Sequence, residues 1–227
     1  MNELLKSLNG EQIPELIAQL PQDDPAFERA IEVVRFAPDD CLISPDTADR
    51  YLYILVSGRV RLVVFNKEGR SYVTSYLDPG SVFGEDALID FGEKPRSHVH
   101  ALEPCTVWRL PTEQAHRFAD KHPVLALGML LTLGNRLAQV ENRLEEVAYK
   151  RLPERLAGEL LRLRRYYNND QVRVSHQALA DTLGTYRETI SALLRDFKRD
   201  QWVELGYRRI TIKDPEAMAQ LAGNIHD

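Results

Sequence analysis

The stretch SHQALADTLGTYRETISALLRDF, Ser175 to Phe197, sets a cation and an anion, Arg187 and Glu188, side by side among apolar residues. Its spacing predicts two short helices joined by a tight turn. Ser175 can cap the first helix, whose apolar face is Ala178, Leu179 and Leu183, and Gly184 supplies the turn. Thr185 is then expected to cap a second helix that buries Ile190, Leu193, Leu194 and Phe197. The opposite face carries Arg187, Glu188, Ser191 and Arg195, placed to meet base edges in a DNA major groove. Arginine can grip guanine O6 and N7 with two hydrogen bonds, and glutamate can accept one from the cytosine amine. The candidate DNA contacts are Ser175, His176, Thr185, Tyr186, Arg187, Glu188, Thr189, Ser191 and Arg195. A structural role competes for Glu188, because Thr185-x-x-Glu188 has the spacing of a capping box, in which the carboxylate satisfies a backbone N–H.

The elements around this pair must hold it against a duplex. WVEL and RRITI, flanking Gly206-Tyr207, read as a hairpin wing behind the two helices. Pro153 suits the first turn of a helix from Glu154 to Arg165, which YYNNDQ ends. Upstream, Leu130, Leu137 and Leu144 recur every seven residues, with Leu133, Val140 and Val147 offset by three. That pattern predicts a helix from Val124 to Tyr149, about 39 Å long at roughly 1.5 Å per residue, paired in a parallel coiled-coil homodimer. A core-packing helix of a monomer is the alternative. In the dimer register Arg136 and Glu141 fall at g and e′, the spacing of an interchain ion pair. Dimerisation would set two recognition helices about 34 Å apart, so a two-fold-symmetric site is expected.

From Glu32 to Leu110 the chain alternates β-type runs (YLYILV, GRVRLVVF, SYVTSYL, HVHAL, CTVWRL) with turns, which argues for a sandwich or barrel. A helix from Glu11 to Leu20 is expected before it, followed by a loop containing Pro21 and Pro25. The C-terminal DPEAMAQLAGNIHD suits a short helix. The expected division is 1–122, 123–149 and 150–227.

With 227 residues, 44% of them hydrophobic, the chain can build two cores. Residues 150–213 carry a charge of +6 while the remainder carries −11, the asymmetry of a polyanion-binding module on an acidic body. The first residues, MNELLKSLNG, lack the pattern of a signal peptide. The apolar run VLALGMLLTLG is broken by Thr132 and falls short of the roughly 18 residues of a membrane span, so a soluble cytoplasmic protein without a membrane partner is expected. Cys41 and Cys105 lie 64 positions apart and read as idle thiols rather than a disulfide framework or a metal site.

The order of these elements, with GRVRLVV, FGED, PRS and YRETISALLRDF in sequence, resembles the cyclic-AMP receptor protein (CRP/FNR) family of bacterial transcription regulators over residues 30 to 213. The resemblance implies an α+β fold: an N-terminal β-roll of the jelly-roll, cyclic-nucleotide-binding type, a long dimerisation helix and a C-terminal winged helix-turn-helix. It also implies double-stranded DNA, a second copy of the chain and RNA polymerase as partners, an activator role, and base contacts by Arg187 and Glu188. Ala192 stands where the best-known member has a second base-reading arginine, a loss that Arg195 can offset in part through phosphate.

The family's effector cassette corresponds to Gly84-Glu85 and Arg96-Ser97. Gly84 would let backbone approach, Glu85 would accept a ribose hydroxyl, and Arg96 with Ser97 would hold a phosphate. An internal Glu85–Arg96 ion pair is the bland alternative. Val140 and Glu141 stand where cyclic-AMP binders carry a Thr-Ser pair against adenine, and Val140 offers no hydrogen bond. Arg136 and Glu141 instead match the spacing used by the family's nitrogen-control branch, which senses 2-oxoglutarate. The effector candidates are Gly84, Glu85, Arg96, Ser97, Arg136 and Glu141. No cofactor is certain: cyclic AMP or a similar effector ranks first, then no effector, then an organic acid.

A rival from another class is a cupin-type metalloenzyme, since His98-Val99-His100 followed by Glu103 imitates its ligand set. The Glu lies too close in sequence, and His116 and His122 fall beyond the strands. Neither catalysis nor a metal site is expected. Iron–sulfur sensing would need an N-terminal cysteine cluster. Haem ligation by His98, His100 or His116 is subordinate to their reading as surface or strand histidines.

Overall fold

The computed structural model describes residues 9–47, 50–89 and 97–223. These fall into two compact units: one runs through Phe65 and resumes over Thr74–Val140, and the other joins Asn66–Val73 to the chain from Glu141 onward.

The first unit opens with a 3-10 turn, Gly10–Gln12, then α1 (Ile13–Asp23) and α2 (Pro25–Ala30). The expected proline loop is absent here. Pro21 lies inside α1, and Pro25 opens α2, where its missing N–H costs nothing. Asp24 caps α2 by accepting from the Ala26 N–H at 3.0 Å.

The strands are β1 (Glu32–Phe36), β2 (Cys41–Ile43), β3 (Tyr51–Ser57), β4 (Val60–Phe65), β5 (Ser71–Leu77), β6 (Val82–Phe83), β7 (Ser97–Ala101) and β8 (Cys105–Pro111). They form two sheets, ordered β1-β8-β3-β6 and β2-β7-β4-β5. Between them lies a core of Leu42, Tyr53, Leu55, Val60, Leu62, Phe83, Val99 and Val107. The run YLYIL reads as continuously apolar because β3 is buried on both faces. Tyr53 and Leu55 point into the roll, while Leu52 and Ile54 face a second core shared with Ile17, Phe27, Phe118 and Leu125 of the flanking helices.

Two helices, α3 (Thr112–Lys121) and α4 (Pro123–Tyr149), follow β8. By length and a hydropathy of 1.2 over its most apolar window, α4 would suffice to cross a membrane, contrary to the expectation from its longest apolar run. Its polar side chains explain the same stretch otherwise. Thr132 accepts from the Val82 N–H at 3.0 Å and donates to the Gly128 carbonyl at 2.8 Å. Gln139 bridges both backbone groups of Tyr76, at 2.9 and 3.0 Å. These contacts pin one side of α4 to β6 and β5. On its bare side, Leu130, Leu137 and Leu144 are 66, 60 and 69% exposed. Leu133, of the offset series, packs partly against the roll's helical core.

In the second unit, α5 (Leu152–Tyr167) is longer than expected at both ends. After it come β9 (Gln171–Val172), α6 (His176–Leu183), α7 (Arg187–Arg199), β10 (Val203–Gly206), β11 (Arg209–Ile212) and α8 (Pro215–Leu221). The wing sheet runs β10-β11-β9, with Ile210 opposite Val172. Leu156, Leu160, Leu179, Ile190, Leu194, Phe197 and Ile212 build one core. Met218 of α8 is fully buried in it, so the start of the C-terminal tail belongs to the domain.

Candidate functional sites: the DNA-reading helix and the roll cassette

The turn between α6 and α7 is built as its sequence requires. Ser175 Oγ accepts from the Ala178 N–H at 3.0 Å, capping α6. Gly184 ends α6 in the left-handed region at φ 66°, and the Thr185 N–H donates back to the Ala180 carbonyl at 3.0 Å. The N-cap of α7 is Tyr186, without a side-chain cap bond, rather than Thr185. This overturns both the expected Thr185 cap and the capping-box role for Glu188: the helix starts one residue late for that box, and Glu188 stands at N2. Arg187 and Glu188 are exposed on the first turn, Arg195 is exposed two turns on, and Thr189 is half-buried.

Ser191 and His176 form an internal link rather than two open contacts. His176 Nδ1 lies 2.8 Å from Ser191 Oγ, which donates to the Arg187 carbonyl at 2.9 Å. The hydroxyl proton is thus spent on α7, so the imidazole donates to Ser191. Burial, then the nearby Arg187 charge, lowers the His176 pKa and keeps it a neutral strut between α6 and α7. Tyr186 is 57% exposed, with the Arg70 guanidinium 5.0 Å from its ring centroid. Arg155 donates to the Leu183 carbonyl at 2.8 Å, satisfying the C-terminus of α6. Periodicity carried no sign of Arg70, Arg155 or the His176 strut, since each partner lies on another element.

The cassette lies in the first unit. Gly84 takes φ 86°, and a Cβ there would stand 2.6 Å from the Tyr51 carbonyl oxygen, so the position requires glycine. A 3-10 turn, Glu85–Ala87, follows it. Glu85 accepts from its own cassette's Gly84 N–H at 3.2 Å and from Arg136 Nη1 at 2.6 Å. The Arg136 and Glu85 side chains are 22 and 16% exposed, a half-sheltered pair. Arg136 therefore pairs with the roll of its own chain, a partner that the heptad register did not indicate. Arg96 lies outside the described residues. Ser97 opens β7, and Glu141 is exposed in the second unit.

The cupin-like reading fails in detail. His98 and His100 share the outer face of β7, but among the described residues the third potential ligand beside them is Cys41 of β2, not Glu103.

Two family models match in the order the geometry gives: a cyclic nucleotide-binding domain over residues 33–122 and a Crp-like helix-turn-helix domain over 154–221. A "Global nitrogen regulator" of Synechocystis sp. is 32% identical over 183 residues, covering 77% of this chain and 81% of that protein.

The chain belongs to the CRP/FNR family of transcription regulators.

A "CRP-like cAMP-activated global transcriptional regulator" of Mycobacterium tuberculosis is 25% identical, covering 87% of this chain and 91% of the relative. Among solved structures, a CRP/FNR-family transcriptional regulator of Thermus thermophilus superposes with a TM-score of 0.71 at 27% identity, over 85% of this chain and 98% of that one. The CRP/FNR chain is thus a DNA-binding regulator with an effector-type β-roll, not an enzyme. Its α6 and α7 lie within the matched helix-turn-helix domain, and Gly84 and Glu85 lie within the matched cyclic nucleotide-binding domain.

Proposed function

We infer that the protein acts as a homodimer on a pseudo-palindromic operator, activating transcription through RNA polymerase, with Arg187 and Glu188 as its base-reading residues and a small anionic effector acting at the roll. The observation that carries the DNA assignment is the exposed Arg187-Glu188 pair at the first turn of α7, held in place by Ser175, Gly184 and the His176–Ser191 strut. Guanine and cytosine edges match those two side chains.

For the effector, a cyclic nucleotide fits Gly84 and Glu85 best. A carboxylate has about four lone-pair sites, so Glu85 can keep its bonds to Gly84 and Arg136 and still accept a ribose hydroxyl. The remaining N–H groups of Arg136 suit an equatorial phosphate oxygen. A second reading, 2-oxoglutarate, is favoured by Arg136 and Glu141 on one helix and by relatives described as global nitrogen regulators. Either ligand can shift DNA affinity only through its differential affinity for two arrangements of the protein.

Calorimetric titration of the purified protein with cyclic AMP and with 2-oxoglutarate, paired with operator binding in the absence of both, tests this. Saturable cyclic-AMP binding that tightens operator binding is expected. Binding of 2-oxoglutarate alone would replace the first reading by the second, and full operator affinity with neither ligand bound would remove the effector.

A further inference from the structure

We propose that Cys41, His98 and His100 form a binding site for a borderline-to-soft d-block cation of the zinc type on the outer face of the roll. Strand pairing creates it. β2 runs antiparallel to β7 with Cys41 opposite His100, and the pleat puts His98 and His100 on one face while Val99 enters the core. The thiol and the two imidazoles bring their ligand atoms within 4.8 Å of one another. Tetrahedral zinc, with Zn–S about 2.3 Å and Zn–N about 2.0 Å, needs donor atoms about 3.3 to 3.6 Å apart. Rotation about the side-chain bonds of three surface groups closes a gap of about 1 Å at little cost.

The surroundings are arranged for ligation rather than for idle exposure. His100 Nδ1 lies 3.3 Å from the Asp39 carbonyl, a bond that fixes the proton on Nδ1 and leaves Nε2 with its lone pair. This outer partner is the kind that orients metal-binding histidines. Asp39 presents that carbonyl from a left-handed conformation, φ 69°, uncommon outside glycine. The two imidazoles stack with centroids 6.0 Å apart and an interplanar angle of 24°, and Phe65 packs edge-on against His98 at 4.9 Å. The adjacent cation, Arg61, is paired with Asp39 at 2.7 Å. Cys41 Sγ now rests 3.2 Å from the Ile43 carbonyl as a weak donor, a contact that a bound cation would replace.

One thiolate and two neutral imidazoles select zinc-type cations over magnesium or calcium, which want oxygen ligands. Three protein ligands leave a fourth position to solvent, as in exchangeable rather than purely structural sites. The cation would tie β2 to β7, the strand that begins with the cassette's Ser97.

The test uses the full chain, reduced and stripped of metal by a chelator. Cobalt(II) titration is expected to give a thiolate-to-cobalt charge-transfer band and the intense visible bands of a tetrahedral site, saturating at one equivalent per chain. Zinc(II), measured by competition with a chromophoric chelator, should displace it, and excess magnesium should not. Cys41→Ser should abolish the charge-transfer band, and His98→Gln and His100→Gln should each weaken zinc binding by at least about tenfold. His116→Gln, an exposed histidine elsewhere, should leave binding unchanged. Because Cys41 is exposed and His98 and His100 are half-buried outside the roll core, far-UV circular dichroism of the variants should match the parent. A reduced parent without the cobalt–thiolate band, or zinc affinity unaltered in Cys41→Ser, would overturn the site.

Discussion

At the scale of single residues, the two ends of the molecule differ in how openly their chemistry is written. The Arg187-Glu188 pair is legible because a recognition helix exposes one face and buries the other, and the 3.6-residue period alone assigns each side chain. Arg136 is different: its partner Glu85 is 51 positions away, and only docking of α4 on the roll brings them together. The same holds for Cys41, read as idle until β-pairing set it beside His98 and His100. Arg187→Ala should therefore cost about 1 to 3 kcal/mol in operator binding and relax preference at one base pair per half-site. Lys198→Ala, exposed at the end of α7, should weaken all sequences alike and flatten the salt dependence. Binding-site selection with the two variants separates these outcomes, and equal losses on operator and random DNA for Arg187→Ala would contradict the base-reading role.

At the scale of elements, the sequence misplaces a boundary where a residue's long-range partners are not visible in the local pattern. Pro21 and Pro25 suggested a loop, yet Asp24 between them caps α2 and joins Lys121 and His122 at 2.6 and 2.8 Å. Those partners sit on and just after α3, 97 and 98 positions away, so no local pattern announces them. The hydrogen bond from Lys121, then that from His122, holds the Asp24 carboxyl far below the usual carboxylate range. A carboxyl whose folded pKa is depressed contributes stability that is present above its unfolded value near 4 and is lost as pH falls below it. Thermal melts of the parent should thus show a steeper loss of Tm below about pH 4 than melts of Asp24→Asn, which keeps the cap but not the charge. The variant should also melt lower at neutral pH. Parallel acid limbs for the two proteins would show that this cluster does not link the N-terminal helices to α3.

At the scale of the whole molecule, the stripe on α4 is what a single chain leaves unexplained. Its other side is committed to the roll through Thr132, Arg136 and Gln139, yet Leu130, Leu137, Val140, Leu144 and Val147 stay exposed at heptad spacing. Burying a leucine is worth about 1.5 to 3 kcal/mol, so five such residues from each of two helices suffice for a stable parallel pair. The double substitution Leu137→Glu with Leu144→Glu would put four like charges in that seam without touching the face that docks on the roll. Sedimentation should then find monomer at micromolar concentrations where the parent is dimeric. Because joint engagement of two half-sites raises overall affinity by about 10² to 10⁴ over one half-site, operator binding should fall at least about 100-fold. Arg187 and Glu188 remain intact in the variant, so weak binding to an isolated half-site should persist. A variant that stays dimeric would move the interface elsewhere, and full operator affinity from a monomer would remove the two-fold reading of the site.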